Sequence, residues 1–255
     1  MIINESFSEG NTFIHRLDPR VKLLAAFLFS AATSVSGRFF PLFLSLILSI
    51  GLLAAARLPL KTVIMRLLFA NLFIFFLWII IPITMKGEII YRIDFINITK
   101  EGLLYCSMLT IKSNAIIIIL IALTATMPVF TLGRAMGFFK VPTKIVNLLI
   151  FSYRYIHSIL FEYKKLKEAM EIRGFQPKTN MQTYRTYAYL VGMLMVKSHD
   201  RAERVHSAML CRGFNGEFFD LTEYSFKTTD LLFIATFIIC LAAITLIQWP
   251  TLIPL

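Results

Sequence analysis

The sequence predicts an all-α membrane protein: a polytopic helical bundle of about five transmembrane helices, joined to long helices on the cytoplasmic side. Three observations carry this. Hydrophobic residues make up 57 % of the 255 and charged residues 16 %, against about 25 % charged in a soluble domain. The mean hydropathy is +0.72. Several stretches approach the roughly 20 apolar residues that a helix needs to cross the hydrocarbon of a bilayer.

The first span is expected at about Val21–Val35. Its small residues Ala25, Ala26, Ser30, Ala31 and Ala32 allow helices to approach closely in lipid. Before it stand Glu5, Glu9, His15, Arg16, Asp18 and Arg20, so the N-terminus does not read as a cleaved signal peptide. The second span is about Phe39–Ala56, and the short link between the two makes them an antiparallel hairpin. Arg57, Lys61 and Arg66 follow. The third span is about Leu67–Thr84. Residues 85–102 form a loop balanced between Lys86, Arg92, Lys100 and Glu88, Asp94, Glu101. The fourth span lies within Leu103–Met127, where Lys112 is expected to reach the outer interface. The last is about Leu231–Ile247.

Residues 134–228 hold fifteen Lys/Arg against eight Asp/Glu and are too polar to span. Apolar residues nevertheless recur at helical spacing: Leu148, Leu149, Phe151, Tyr155, Ile156, Ile159, Leu160 and Tyr163 form a stripe. A helix is expected to begin near Pro142 and end near Gly174, with Pro177 after it. A second is expected from about Tyr184 to Cys211, ending at Gly213. Basic residues favour the cytoplasmic side. Residues before the first span, the 57–66 link and the 134–228 segment then share that side, and the C-terminus lies outside. The division is 1–130 for four spans, 131–228 for the cytoplasmic region and 229–255 for the last span. The net charge of +11 is accounted for by this asymmetry and does not call for nucleic acid as a partner.

One motif occurs twice. Residues 169–175 read AMEIRGF and residues 208–214 read AMLCRGF, 39 residues apart. Each sits at the end of an expected helix. Ala169 and Arg173 share one helix face at i,i+4, as do Ala208 and Arg212. Gly174 and Gly213 suit left-handed C-caps, with Phe175 and Phe214 packing back. A helix-ending device used twice accounts for part of this. The sharper reading is that two arginines in equivalent settings meet two equivalent pockets, which a dimer of identical subunits supplies. The planar guanidinium suits bidentate bonds to carboxylates.

The chain lacks G-x-x-x-x-G-K-[ST], so it is not expected to hydrolyse ATP. It also lacks H-E-x-x-H. His15, His157, His199 and His206 are scattered, and Cys106, Cys211 and Cys240 show neither disulfide nor zinc spacing. No cofactor, metal site or catalytic residue is expected.

With these residues in view, nearly the whole chain resembles the T component of energy-coupling factor (ECF) transporters. Within that group it resembles CbiQ, the cobalt/nickel member. The resemblance rests on HRLDPRVKLL at His15–Leu24, Val141–Pro142, Tyr153–Ile156 and RAERVHSAMLCRGFNGEF at Arg201–Phe218. The x-Arg-x signatures fall on Ile172-Arg173-Gly174 and Cys211-Arg212-Gly213, where Ile172 and Cys211 replace the usual Ala. The resemblance implies a non-catalytic coupling subunit in a bacterial or archaeal cell membrane. It would bridge two CbiO-like ABC ATPases to a CbiM-like substrate-binding membrane subunit, with a possible CbiN-like small subunit. Ala169, Arg173, Gly174, Ala208, Arg212 and Gly213 would be the ATPase-coupling residues. The alternative is a stand-alone channel or carrier.

Overall fold

The computed structural model describes residues 10, 12–93, 96–216 and 228–248. The end of the basic segment, with Glu217 and Phe218 of the Arg201–Phe218 stretch, lies outside the described residues. The helices are α1 (Phe13–Arg16), α2 (Pro19–Val35), α3 (Phe39–Ala56), α4 (Leu60–Thr84), α5 (Lys100–Leu123), α6 (Val129–Phe138), α7 (Thr143–Ile172), α8 (Met181–Cys211) and α9 (Thr228–Gln248). One compact unit comprises the described parts of Glu5–Ala135 and Tyr224–Leu255. The other comprises those of Met136–Glu223.

The all-α membrane fold holds. In the first unit α3, α4, α5 and Thr228–Ile247 of α9 are long and apolar enough to span a bilayer. At 17 residues, α2 is about 25 Å long, somewhat short of a bilayer's hydrocarbon thickness. One face of it is buried in the unit, while Phe27 on another is exposed. Val21, Ala25, Ala26 and Phe29 pack with Ala115, Ile119, Phe233 and Phe237 in one buried cluster. The Phe29 and Phe237 rings lie 6.3 Å apart. By contrast α4 faces outward along most of its length: Phe69, Leu72, Phe73 and Phe76 are all exposed. Such an apolar surface fits lipid as its solvent.

Local chemistry fixes the ends of α2. Asp18 is its N-cap, the carboxylate accepting from the Arg20 N–H at 2.8 Å. Pro19 occupies the first turn, where a missing N–H costs nothing. Lys22 is 1 % exposed, and its ammonium donates to the His15 carbonyl at 3.3 Å. Asp230, at the start of α9 and 2 % exposed, is the opposite charge acting on Lys22. It also accepts the Asp18 backbone N–H at 3.1 Å. The His15–Leu24 stretch is thus a knot tying the start of the first span to the start of the last. At the other end, Lys112 donates to the Ser34 carbonyl in the last turn of α2 at 3.0 Å. The cation sits where helix carbonyls lack intrahelical partners.

Polar contacts also join α4 to α5. Asn71 and Asn114 exchange two amide hydrogen bonds of 2.9 and 3.0 Å, and Trp78 Nε1 donates to Thr110 at 2.9 Å. A Cβ on Gly102 would lie 2.7 Å from the Pro82 Cα, so the close approach of α5 to α4 there requires glycine. The loop at 85–102 contains an antiparallel pair, β1 (Ile89–Ile93) and β2 (Ile96–Thr99), with Ile93 opposite Ile96 and a bulge at Ile89/Tyr91. This pair is confined to the connection and leaves the helical class unchanged.

In the second unit α7 and α8 are 30 and 31 residues long, about 45 Å each. Asn180 caps α8, its side chain accepting from Thr183 N–H at 2.9 Å. The turn between them is held by the edge-on Phe175 and Tyr187 rings, 5.8 Å apart.

Candidate functional site

The two AMxxRGF copies end α7 and α8 with the same pair of hydrogen bonds from the Gly and Phe N–H groups. The Phe175 N–H reaches the Met170 carbonyl at 3.1 Å, and the Gly174 N–H reaches the Glu171 carbonyl at 3.0 Å. The Phe214 N–H reaches the Met209 carbonyl at 3.1 Å, and the Gly213 N–H reaches the Leu210 carbonyl at 3.0 Å. These are the paired 6→1 and 5→2 bonds of the Schellman motif. Gly174 and Gly213 take φ of +77° and +80°, a left-handed conformation that a side chain disfavours. Met170 with Phe175, and Met209 with Phe214, are half-buried, as expected of the apolar contact that accompanies this cap.

The cap therefore accounts for the repeated Met, Gly and Phe. It does not account for the Ala and Arg. Ala169, Arg173, Ala208 and Arg212 are all exposed. Each arginine is the C-cap residue itself, with near-helical backbone (φ −77° and −92°), so its side chain leaves the helix at its last point. Beside them stand Ile172, 87 % exposed, and the exposed Cys211. Each helix end presents a guanidinium, a small neighbour one turn back and an apolar or thiol side chain.

No Cβ-sized obstacle lies within 4 Å of Gly174 or Gly213. The glycines are needed for backbone angle alone. Replacing both with Ala is expected to cost about 1 kcal/mol at each site, lowering the melting temperature of the detergent-solubilised protein by a few degrees. Thermal unfolding followed by circular dichroism checks this.

Between α7 and α8 lies a cleft of about 410 Å³. Phe151, Tyr155, Ile159, Leu194, Met209 and Phe214 supply its apolar wall. Glu162 crosses it, meeting Lys197 at 2.9 Å and Arg201 at 3.3 Å. The Lys197 hydrogen bond, aided by the charges of Lys197, Arg201 and Lys165, holds the Glu162 carboxyl below its ordinary value. Sequence reasoning did not single out Glu162. The available signal was its offset from Arg201, the same 39 residues that separate the two signatures. Among the described residues, no group of three or more His, Cys, Asp or Glu is placed to hold a metal ion.

Four helices fit to cross a bilayer in one unit, and two long amphipathic helices that end in matched arginines in the other, define a polytopic helical membrane protein. A family profile described as CbiQ, cobalt transport protein, matches residues 10–224. The chain belongs to this family. It is similar to energy-coupling factor transporter transmembrane protein EcfT of Bacillus selenitireducens, 29 % identical with 84 % of each chain covered. The protein of the same name from Bacillus subtilis is 28 % identical over 85 % of each chain. That from Streptococcus thermophilus is 28 % identical over 81 % of this chain and 83 % of its own.

Proposed function

We propose that this chain is the transmembrane coupling subunit of an ECF-type importer, taking up cobalt or the chemically similar nickel. In this reading residues 131–228 are a cytoplasmic coupling region. The ends of α7 and α8 dock on two ABC ATPases, with Ala169, Arg173, Gly174, Ala208, Arg212 and Gly213 at the contacts. Closure of the ATPase pair on ATP displaces the helices, and the bundle passes that displacement to a membrane subunit that binds the metal. The chain itself carries no chemistry: it has no phosphate-binding loop, and its spans are almost free of charge.

The carrying observation is what remains of the repeat after the cap is subtracted. Two exposed Ala–Arg pairs in identical backbone settings match two copies of one acceptor. A dimer of identical ATPases offers such a pair, and carboxylates in its grooves would take the guanidinium forks. The family description supports the cargo, and the basic-residue bias supports the orientation.

The test combines uptake and topology. Cells expressing the chain with its neighbouring transporter subunits should accumulate labelled cobalt, and cells lacking the ATPases should not. Uptake by the chain alone would instead make it a stand-alone carrier. In a background without native cysteines, Thr179→Cys should react with an impermeant thiol reagent only after the membrane is opened. Labelling of Thr179→Cys in sealed cells would overturn the orientation.

A further inference from the structure

One ion pair stands at the same offset as the two signatures. Glu162 and Arg201 stand 39 apart, as the two signatures do. Glu162 precedes Arg173 by 11 residues, and Arg201 precedes Arg212 by 11. The ion pair joining α7 to α8 at 3.3 Å therefore links equivalent points of two equivalent helices. Lys197, one turn before Arg201 on the same helix, doubles the link at 2.9 Å.

We propose that this contact is the fulcrum of the two arginine-bearing helices, and that Glu162 is a positioning residue setting the spacing of Arg173 and Arg212. The proposal deepens the coupling reading and rests on it. Each arm from fulcrum to arginine is about 16 Å of helix. With equal arms, a change of about 20° at the crossing moves one arginine by roughly 6 Å relative to the other. A pair of ATPases that closes symmetrically needs two contacts that move equally, and equal arms supply that.

The surroundings suit a pivot. Protein interiors close-pack, and a filled apolar seam would lock the crossing. Here the cleft of about 410 Å³ leaves space beside the ion pair, room for the crossing to change angle around it, while the Phe175 and Tyr187 rings hold the turn. Met209 and Phe214, which build the second cap, also line this cleft. The cap of one arm is thus in the wall of the pivot. The pair is partly exposed: side-chain exposures are 20 % for Glu162, 40 % for Lys197 and 36 % for Arg201. Such pairs add little to stability. The loss of this one should therefore change geometry before it changes folding.

The experiment reads that geometry in the assembled transporter. Spin labels go on the native Cys211 and on Ile172→Cys, both exposed positions, in a Cys106→Ala, Cys240→Ala background. With Glu162 intact, the label-to-label distance should form one narrow distribution. Glu162→Lys places three cations together. It should broaden that distribution and cut metal uptake about tenfold, while the ATPases still co-purify. Adding Arg201→Glu restores an opposite pair and should narrow the distribution and recover uptake. An unchanged distribution with full uptake in Glu162→Lys would overturn the fulcrum, as would failure of the swap to recover either. Should Glu162→Lys fail to insert, Glu162→Gln gives the same readings without the added charge. Arg173→Ala with Arg212→Ala runs alongside. Full uptake there sinks the coupling reading itself, whereas loss there with full uptake in Glu162→Lys sinks only the fulcrum.

Discussion

Arg173→Ala combined with Arg212→Ala is expected to abolish metal uptake and release the ATPases, with the protein still in the membrane. The two side chains are exposed C-cap residues, and the bonds that terminate α7 and α8 are made by backbone groups of Met170, Glu171, Gly174 and Phe175 and their counterparts. Removing the guanidinium groups therefore leaves both caps intact. A desolvated arginine at an interface commonly contributes about 2 kcal/mol or more. Loss of both should then weaken ATPase association at least about 100-fold. Lysine at both positions should not restore it. An ammonium keeps the charge but loses the planar fork that a carboxylate accepts in two bonds. Pull-down of the ATPases, alongside membrane fractionation and labelled-metal uptake, separates these outcomes. Retention of the ATPases with full uptake in the double alanine variant would end the two-pocket reading. Full recovery by the lysines would reduce the contact to a point charge.

What could be read in the sequence divides along a physical line. Helices whose partner is lipid declare themselves, because an apolar surface facing lipid must be continuous: α3 runs Phe39–Ala56 as expected, and α4 ends at Thr84 as expected but begins at Leu60, taking Lys61 and Arg66 of the expected link into its first turns. The caps at Gly174 and Gly213 were also legible, because a left-handed glycine followed by an apolar residue is a local device. Contacts between distant segments were not. Lys22 counts, by position, among the basic residues flanking the first span, yet the fold buries it to 1 % exposure near an acid 208 residues later. Nothing local marks Asp230 as its partner. Lys112 was expected at an interface, but its acceptor, the Ser34 carbonyl in the exposed last turn of α2, has no local mark. The β1–β2 hairpin escaped notice because Ile89–Ile93 and Ile96–Thr99 are brief runs in a loop of balanced charge. The Glu162–Arg201 contact escaped because an ion pair between helices has no local signature except, here, the period of the repeat.

The knot between α2 and α9 yields the second large effect. Asp230→Leu removes the acid that faces a buried lysine and also the acceptor of the Asp18 N–H. Breaking a buried pair from one side costs about 3–5 kcal/mol, because an uncompensated charge stays behind. That loss should lower the thermal stability of the solubilised protein sharply and reduce its yield in membranes. Asp230→Asn keeps an acceptor for the Asp18 N–H and removes only the charge, so it should fall between wild type and Asp230→Leu. Lys22→Met with Asp230→Leu removes both charges, and apolar replacement of a whole buried pair is often neutral or better. It should regain most of the stability lost in Asp230→Leu, short of full recovery because the Asp18 N–H and His15 carbonyl lose their partners. Thermal melts of the four proteins in one detergent rank them. If Asp230→Leu melts with wild type, the knot contributes nothing. If the double variant melts no higher than Asp230→Leu, the cost lies in the hydrogen bond to Asp18 and not in the charge on Lys22.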